Sequence, residues 1–253
     1  MLIDIYIICL LFVIGLILGM VSIIIGIKGP LKNREYFNCC DNCNNLYKWY
    51  ELIPIVSFFL MRGECNYCKK EISLVYPFLE IISGMLMAMS YMIYGFSYEM
   101  IIMIILTILS IIVYVSDFKY YIILDSPLLI FSIVVLILKY CFFGFKTFLV
   151  SLCSGFLIFL FMMIVRYIGS KIFGQESLGG GDVKLSMFFG FVLGIRLSIA
   201  TLVIGSFLAF PCAIYYALSN KGREIPFGPF LITSLYLVFV FMEPINSFLS
   251  VVF

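Results

Sequence analysis

The sequence predicts an all-α polytopic membrane protein of about eight transmembrane helices, with a small cytosolic four-cysteine, zinc-ribbon-like insertion after the first helix. Three observations predict it. The 253 residues are 64% hydrophobic and only 12% charged, more apolar side chain than a water-soluble core and surface can use, so the lipid bilayer is the solvent and partner. Apolar runs recur at the length that crosses about 30 Å of hydrocarbon in roughly 20 residues. Nearly all Lys and Arg fall in alternate connections between those runs, as cytoplasmic loops do.

The first run, Ile5 to Ile27, follows the acidic Asp4, has no basic leader and is too long for a signal-peptide core, so residues 1–27 read as a retained transmembrane helix. Residues 28–76 are a polar loop domain. Residues 77–253 form a membrane-embedded domain with runs near 77–95, 98–116, 120–138, 147–169, 197–218 and 227–249. The remaining run, Val183 to Leu193, covers only about 17 Å at about 1.5 Å per residue. It either crosses as a short helix, leaving Asp182 recessed below the membrane surface, or turns back as a re-entrant hairpin. Counted as a crossing, with the N-terminus outside, it leaves only Lys139, Lys146 and Arg196 of the sixteen basic residues on the outer side. The basic residues of the loop domain (among them Lys32 and Arg34), Lys119, Arg166 to Lys184, Lys221 and Arg223 are then inside, together with Asp117 and Asp182. The re-entrant alternative moves Lys221 and Arg223 out, brings Arg196 in, and weakens this bias.

Composition also excludes. A net charge of +2 with scattered basic residues gives no stripe to track a phosphate backbone, so no nucleic-acid partner is expected. With no histidine at all, the chain cannot build a Ser-His-Asp triad, a Cys-His pair or an imidazole zinc site. Acid–base work falls to carboxylates, Lys, Tyr or Cys, and aspartyl chemistry leads among hydrolytic mechanisms.

In the loop domain, Cys40-Asp-Asn-Cys43 and Cys65-Asn-Tyr-Cys68 are two C-x-x-C knuckles separated by twenty-one residues, close to the spacing of four-cysteine zinc ribbons. In a reducing cytosol these thiols do not pair as disulfides, and four thiolates suit Zn(II). Four protein ligands leave no open position for water, so the ion's task is structural: it folds the loop. Cys39 competes as first ligand, but only Cys40 gives the C-x-x-C spacing. Cys9, Cys141, Cys153 and Cys212 lie in apolar runs and read as small buried hydrophobes.

Carboxylates inside or beside a membrane are costly and point to function. Asp4, Glu99 and Glu243 sit at outer ends, solvated. Glu80, early in the second run, either faces the bundle and pairs with a loop cation or serves as an N-terminal helix acid. Asp117 ends the third run, where its plain reading is a cap for the next helix. Asp125 precedes Ser126-Pro127 and is a rival second carboxylate. Asp182 follows Gly179-Gly180-Gly181, three glycines that permit close backbone approach. Without a preceding strand or a G-K-[ST] signature this is not a phosphate loop. Lys184 reads as a snorkelling cation or as a charge partner near Asp182. Two carboxylates sharing one proton can hydrolyse a peptide without metal or histidine, but Asp117 and Asp182 are sixty-five positions apart, and spacing does not make them neighbours.

A set of motifs in fixed order supplies the pairing. It comprises the paired knuckles, Trp49-Tyr50 and Ile53-Pro54-Ile55-Val56-Ser57 between them, Arg62-Gly63, Ile72-Ser73, Tyr76-Pro77 with Glu80, Asp117, Gly179 to Leu185, and Ile225-Pro226-Phe227-Gly228-Pro229-Phe230. In these the chain resembles the bacterial type IV prepilin peptidases, membrane aspartic peptidases marked by a G-x-G-D motif. The resemblance implies that Asp117 and Asp182 are the catalytic pair, with Gly179, Gly180 and Gly181 as active-site loop. It further implies cleavage of a short basic leader from prepilins or pseudopilins at the cytosolic face of the bacterial inner membrane, and it demotes Asp125. Many members also N-methylate the new N-terminus with S-adenosylmethionine; no dinucleotide-type glycine fingerprint occurs here, and methylation stays open. Leu124 stands where the family usually has proline.

Glu35, Asp41, Glu51, Glu64 and Glu71 are either contacts for leader lysines or an ordinary solvated surface. Two other functions compete. A presenilin-like intramembrane aspartyl protease also uses G-x-G-D chemistry, but the cysteine module and the Ile225 to Phe230 motif argue against it. A metal-responsive channel or transporter would use the knuckles as sensor and the acids as ion ligands.

Overall fold

The computed structural model describes residues 2–30, 39–40, 42–43, 45–174, 178–218 and 225–252. Lys32, Arg34, Glu35, Asp41, Glu176, Lys221 and Arg223 lie outside the described residues. The chain divides into two compact units, one ending at Ser116 and one beginning at Asp117.

In the first unit, α1 (Leu2–Lys28) packs along α3 (Val75–Tyr94). Small residues let the backbones approach: a Cβ on Gly15 would stand 2.7 Å from the Gly84 Cα, and the Ser83 hydroxyl donates to the Gly15 carbonyl at 2.8 Å. Ile23 and Ile27 of α1 meet Ile111 and Val115 of α4 (Tyr98–Tyr120), with Tyr76 and Leu79 packed against them. The loop domain holds a 3-10 turn, Trp49–Leu52, and the five-residue α2 (Val56–Leu60). Among the described residues there is no strand, only two isolated bridges.

The second unit is built around α6 (Gly180–Leu193), which packs on α5 (Asp125–Phe173), α7 (Ile195–Leu218) and α8 (Gly228–Val240). Val183, Leu185, Ser186 and every residue from Phe188 to Val192 are buried, the pattern of a helix surrounded on all sides. Close approach again runs through glycine, since a Cβ on Gly190 would stand 2.5 Å from the Gly155 Cα.

The structure redraws the expected runs in four places. The runs at 120–138 and 147–169 are one helical element, α5, interrupted only at Gly144 (φ 81, ψ 177). Lys139 donates to the Ser151 hydroxyl at 2.9 Å, whereas twelve residues of straight helix would separate them by about 18 Å. The chain therefore folds back at Gly144, and Lys139, expected in an outer loop, is buried within the hairpin. The run at 227–249 is also broken: α8 and α9 (Met242–Val252) meet at Phe241 with a bend of 85°. Pro244 explains it, because it has no N–H to give the carbonyl of Val240 and its ring crowds that turn. Among the described residues five helices are long and apolar enough to cross a membrane, or six if the bent pair is one span, against the eight crossings expected; α5 is long enough for two limbs and α6 is too short to qualify. Finally, Cys9, Cys141 and Cys153 are exposed on helix surfaces and Cys212 is half-exposed. In a multi-pass membrane protein such positions face lipid, so an apolar run does not imply burial within the protein.

Candidate active site and four-cysteine cluster

Asp117 lies near the end of α4 and is buried, 6% exposed. Its Oδ2 accepts a hydrogen bond of 3.0 Å from the backbone N–H of Gly228, at the start of α8. The Pro226-Phe227-Gly228-Pro229 stretch thus delivers a backbone donor to a carboxylate 111 residues away.

Asp182 is in the first turn of α6, where an acid meets the positive end of the helix dipole. Its carboxylate lies against the Gly179 backbone. Close contacts account for the glycine run. A Cβ on Gly179 would lie 2.9 Å from Asp182 Oδ2, and one on Gly181 would lie 3.0 Å from Ile123 Cβ.

Asp117, Asp182 and all three glycines line one cavity of about 510 Å³, shared with Tyr121, Asp125, Arg166 and Lys184. The two carboxylates are close enough for their charges to interact. Asp125, the rival, is also at this cavity, but it is 66% exposed and both its oxygens are held at 2.7 Å by Lys184. Lys184 therefore pairs with Asp125 and not with Asp182.

Sequence reasoning assigned no role here to Arg166 or to the Gly228 N–H. Arg166 carried a readable signal, being a lone cation in a long apolar run sixteen residues before Asp182. The Gly228 donor carried none, because every residue but proline has the same N–H.

The knuckles of the loop domain are built alike. Cys40 N–H donates to the Asn45 carbonyl at 3.0 Å and Cys65 N–H to the Lys70 carbonyl at 2.9 Å. The bridges Cys39–Leu46 and Glu64–Glu71 close the two turns. Glu51 ties the 3-10 turn to the second knuckle, accepting from Lys48 N–H at 2.8 Å and from Asn66 Nδ2 at 2.6 Å. It is buried and so unavailable to a leader lysine.

All four sulfurs, of Cys40, Cys43, Cys65 and Cys68, lie within 4.8 Å of one another, with Cys40 and Cys68 at 3.8 Å. Sulfurs at about 2.3 Å around a tetrahedral Zn(II) stand about 3.8 Å apart, so the cluster fits a metal ion. Cys39 is outside it, its carbonyl taking the Lys28 ammonium at 2.8 Å. The thiols also constrain one another's ionisation. Burial pushes the Cys40 thiol up, but the N–H groups of Cys43 and Asn42 and the Cys65 thiol outweigh it and bring it to about 6. At Cys43 the Asn45 backbone pulls downward, while burial and the thiols of Cys40, Cys68 and Cys65 prevail and raise it to about 11. A bound cation would relieve this competition and admit four thiolates.

Known families match along most of the chain. Residues 13–94 match the bacterial peptidase A24 N-terminal domain, and residues 104–214 match the type IV leader peptidase family. Among curated relatives, a prepilin leader peptidase/N-methyltransferase of Bacillus subtilis is 29% identical over 94% of this chain and 96% of its own length. The protein of that name from Vibrio cholerae is 28% identical over 92% and 97%, and that from Neisseria gonorrhoeae 29% identical over 80% and 70%. No solved structure matches the chain. The membrane-capable helices, the cysteine cluster after the first of them and these matches agree, and the chain belongs to the bacterial type IV prepilin peptidase family.

Proposed function

We propose that the protein removes the basic leader from type IV prepilins or pseudopilins, with Asp117 and Asp182 as the catalytic pair. The observation that carries this reading is that the two carboxylates share one cavity with the glycine turn. In the reaction, one aspartate, ionised, takes a proton from water while the other, protonated, donates to the scissile carbonyl. The Gly228 N–H orients the Asp117 carboxylate, and the close approach of Gly179 confines that of Asp182. The alternatives, a presenilin-like protease and a metal-responsive transporter, lack the support of the family matches.

The chain is organised for this as a first helix over residues 1–27, a four-cysteine loop domain over 28–76 and a membrane-embedded peptidase domain over 77–253. Its N-terminus is outside and its active site faces the cytosol of the bacterial inner membrane, a placement supported by the distribution of Lys and Arg. Cys40, Cys43, Cys65 and Cys68 hold a structural Zn(II), which orders the loop domain and takes no part in proton transfer. The relatives' names also carry N-methyltransfer, and we extend it to this chain, with S-adenosylmethionine as methyl donor to the new N-terminus; label transfer to the cleaved product tests it separately.

The deciding experiment for the peptidase is cleavage of a leader-bearing prepilin by purified protein. Asp117→Ala and Asp182→Ala each abolish it in folded protein. An active Asp117→Ala enzyme would falsify the assignment.

A further inference from the structure

The first unit contains a second cavity, unrelated to the aspartates: a groove of about 480 Å³ between α2 and the first turns of α3. Ile55, Phe58 and Phe59 line one wall, and Leu74, Val75 and Phe78 the other. Phe59 and Leu74 are each 72% exposed and Phe78 62%, a concentration of open apolar surface that water would not favour.

What covers it follows from its continuation. On α3, a helix apolar and long enough to span a membrane, Phe78, Met85, Met89 and Met92 are all exposed. These positions recur at helical spacing down one side, the stripe that a spanning helix turns to lipid. Leu74 and Val75 extend this stripe by one turn, and α2 lies against its end. The groove therefore lies at the end of this stripe, and the same loop domain presents exposed Lys48, Arg62, Lys69 and Lys70 against exposed Glu64 and Glu71, a net positive surface that suits anionic headgroups.

α2 is also held in place at a cost. Ile55, which precedes it, has φ 62 and ψ −53, a conformation a β-branched residue adopts only when its surroundings impose it. Glu80, buried one turn into α3, accepts the Ile55 N–H at 2.7 Å. Glu80, for which the sequence offers a loop cation or a helix N-terminal role, holds a strained loop backbone and fixes α2 beside the stripe.

We propose that this groove is a phospholipid site: it takes acyl chain between α2 and α3, so that the cysteine module rests on the membrane surface, with the module's cations toward anionic headgroups. An interfacial segment of this kind sinks its apolar face about 5–10 Å into the headgroup–acyl boundary.

Trp49 is the only tryptophan in the chain, so Trp49→Phe gives a silent background for reporters on both walls. Full-length Trp49→Phe proteins carrying Phe59→Trp or Leu74→Trp would be placed in nanodiscs of phosphatidylcholine and phosphatidylglycerol, with or without bromine on the acyl chains. Met89→Trp, on the exposed stripe of the spanning helix and away from the groove, is the positive control, and either wall reporter suffices if the other fails to fold. The expected result is that emission from positions 59 and 74 falls about twofold or more in brominated discs, given the depth of an interfacial segment, and resists acrylamide. Full emission at both positions with free access to acrylamide, while position 89 is quenched, overturns the proposal. So does protection that appears only when a leader-bearing protein substrate is added, since the groove would then take protein and not lipid.

Discussion

Gly228 donates its backbone N–H to Asp117 across 111 positions of sequence, at 3.0 Å. Because the donor is main chain, a carboxamide at 117 can still accept it through its carbonyl oxygen. Asp117→Asn is therefore expected to retain the fold and to lose proton transfer, lowering kcat by about 10²–10⁴-fold. Asp125→Asn breaks only an exposed ion pair with Lys184, worth about 0–1 kcal/mol, and keeps substantial activity. Single-turnover cleavage of a leader-bearing substrate, with thermal melts of each variant, separates the two outcomes; comparable losses at 117 and 125 would contradict the division of roles.

Gly179 has φ −63 and ψ 141, open to alanine, so the backbone tolerates Gly179→Ala. The new Cβ would nevertheless lie 2.9 Å from Asp182 Oδ2 and push that carboxylate aside. Displacement of a reacting group by about 1 Å costs up to about 100-fold in rate. The expected variant has near-normal Tm and kcat lowered by about 10- to 100-fold, and unchanged kcat would mean that Asp182 is not held where the chemistry needs it.

The cysteine cluster predicts one Zn(II) per chain in protein purified without chelator, measured by elemental analysis. Cys65, 1% exposed, is the most buried of the four, so Cys65→Ser is expected to lose the ion. A ligand at about a hundred times its Kd contributes about 2.7 kcal/mol. Chelation should accordingly lower the Tm of the parent protein and leave that of Cys65→Ser where it is.

Lys139 donates to the Val192 carbonyl at 3.0 Å as well as to Ser151. Val192 is in the last turn of α6, where carbonyls have no partner within the helix. Lys139→Met keeps the length of the side chain and abandons that carbonyl, at about 1–3 kcal/mol. Unfolding in mixed detergent–SDS micelles reads the loss, and stability within error of the parent would show that the ammonium does not anchor α6.

The membrane class, the C-x-x-C pairs and the acidic candidates were all legible in sequence because each rests on a local pattern: run length, ligand spacing, or a charge amid apolar residues. The hairpin at Gly144 was read as two runs with a loop between, the right limbs but the wrong joint, since hydropathy does not register that one glycine at positive φ suffices to turn the chain. The break at Phe241 was hidden in an apolar run for the same reason, although Pro244 marked it. The burial of Lys139 is not legible, because a buried, doubly bonded ammonium and a loop ammonium look alike in sequence. That Asp117 and Asp182 line one cavity depends on how the chain from Asp117 onward folds, and only resemblance to a family anticipated it.

The fourteen residues of α6 rise about 21 Å, against about 30 Å of hydrocarbon. A hydrolase has to bring water to a carbonyl, and lipid offers none. With Asp182 in its first turn, a helix this short would set the carboxylate below the membrane surface, where water would have to follow it inward. A helix shorter than the barrier by about two turns would make that barrier locally incomplete, at the end where the cavity lined by both acids begins.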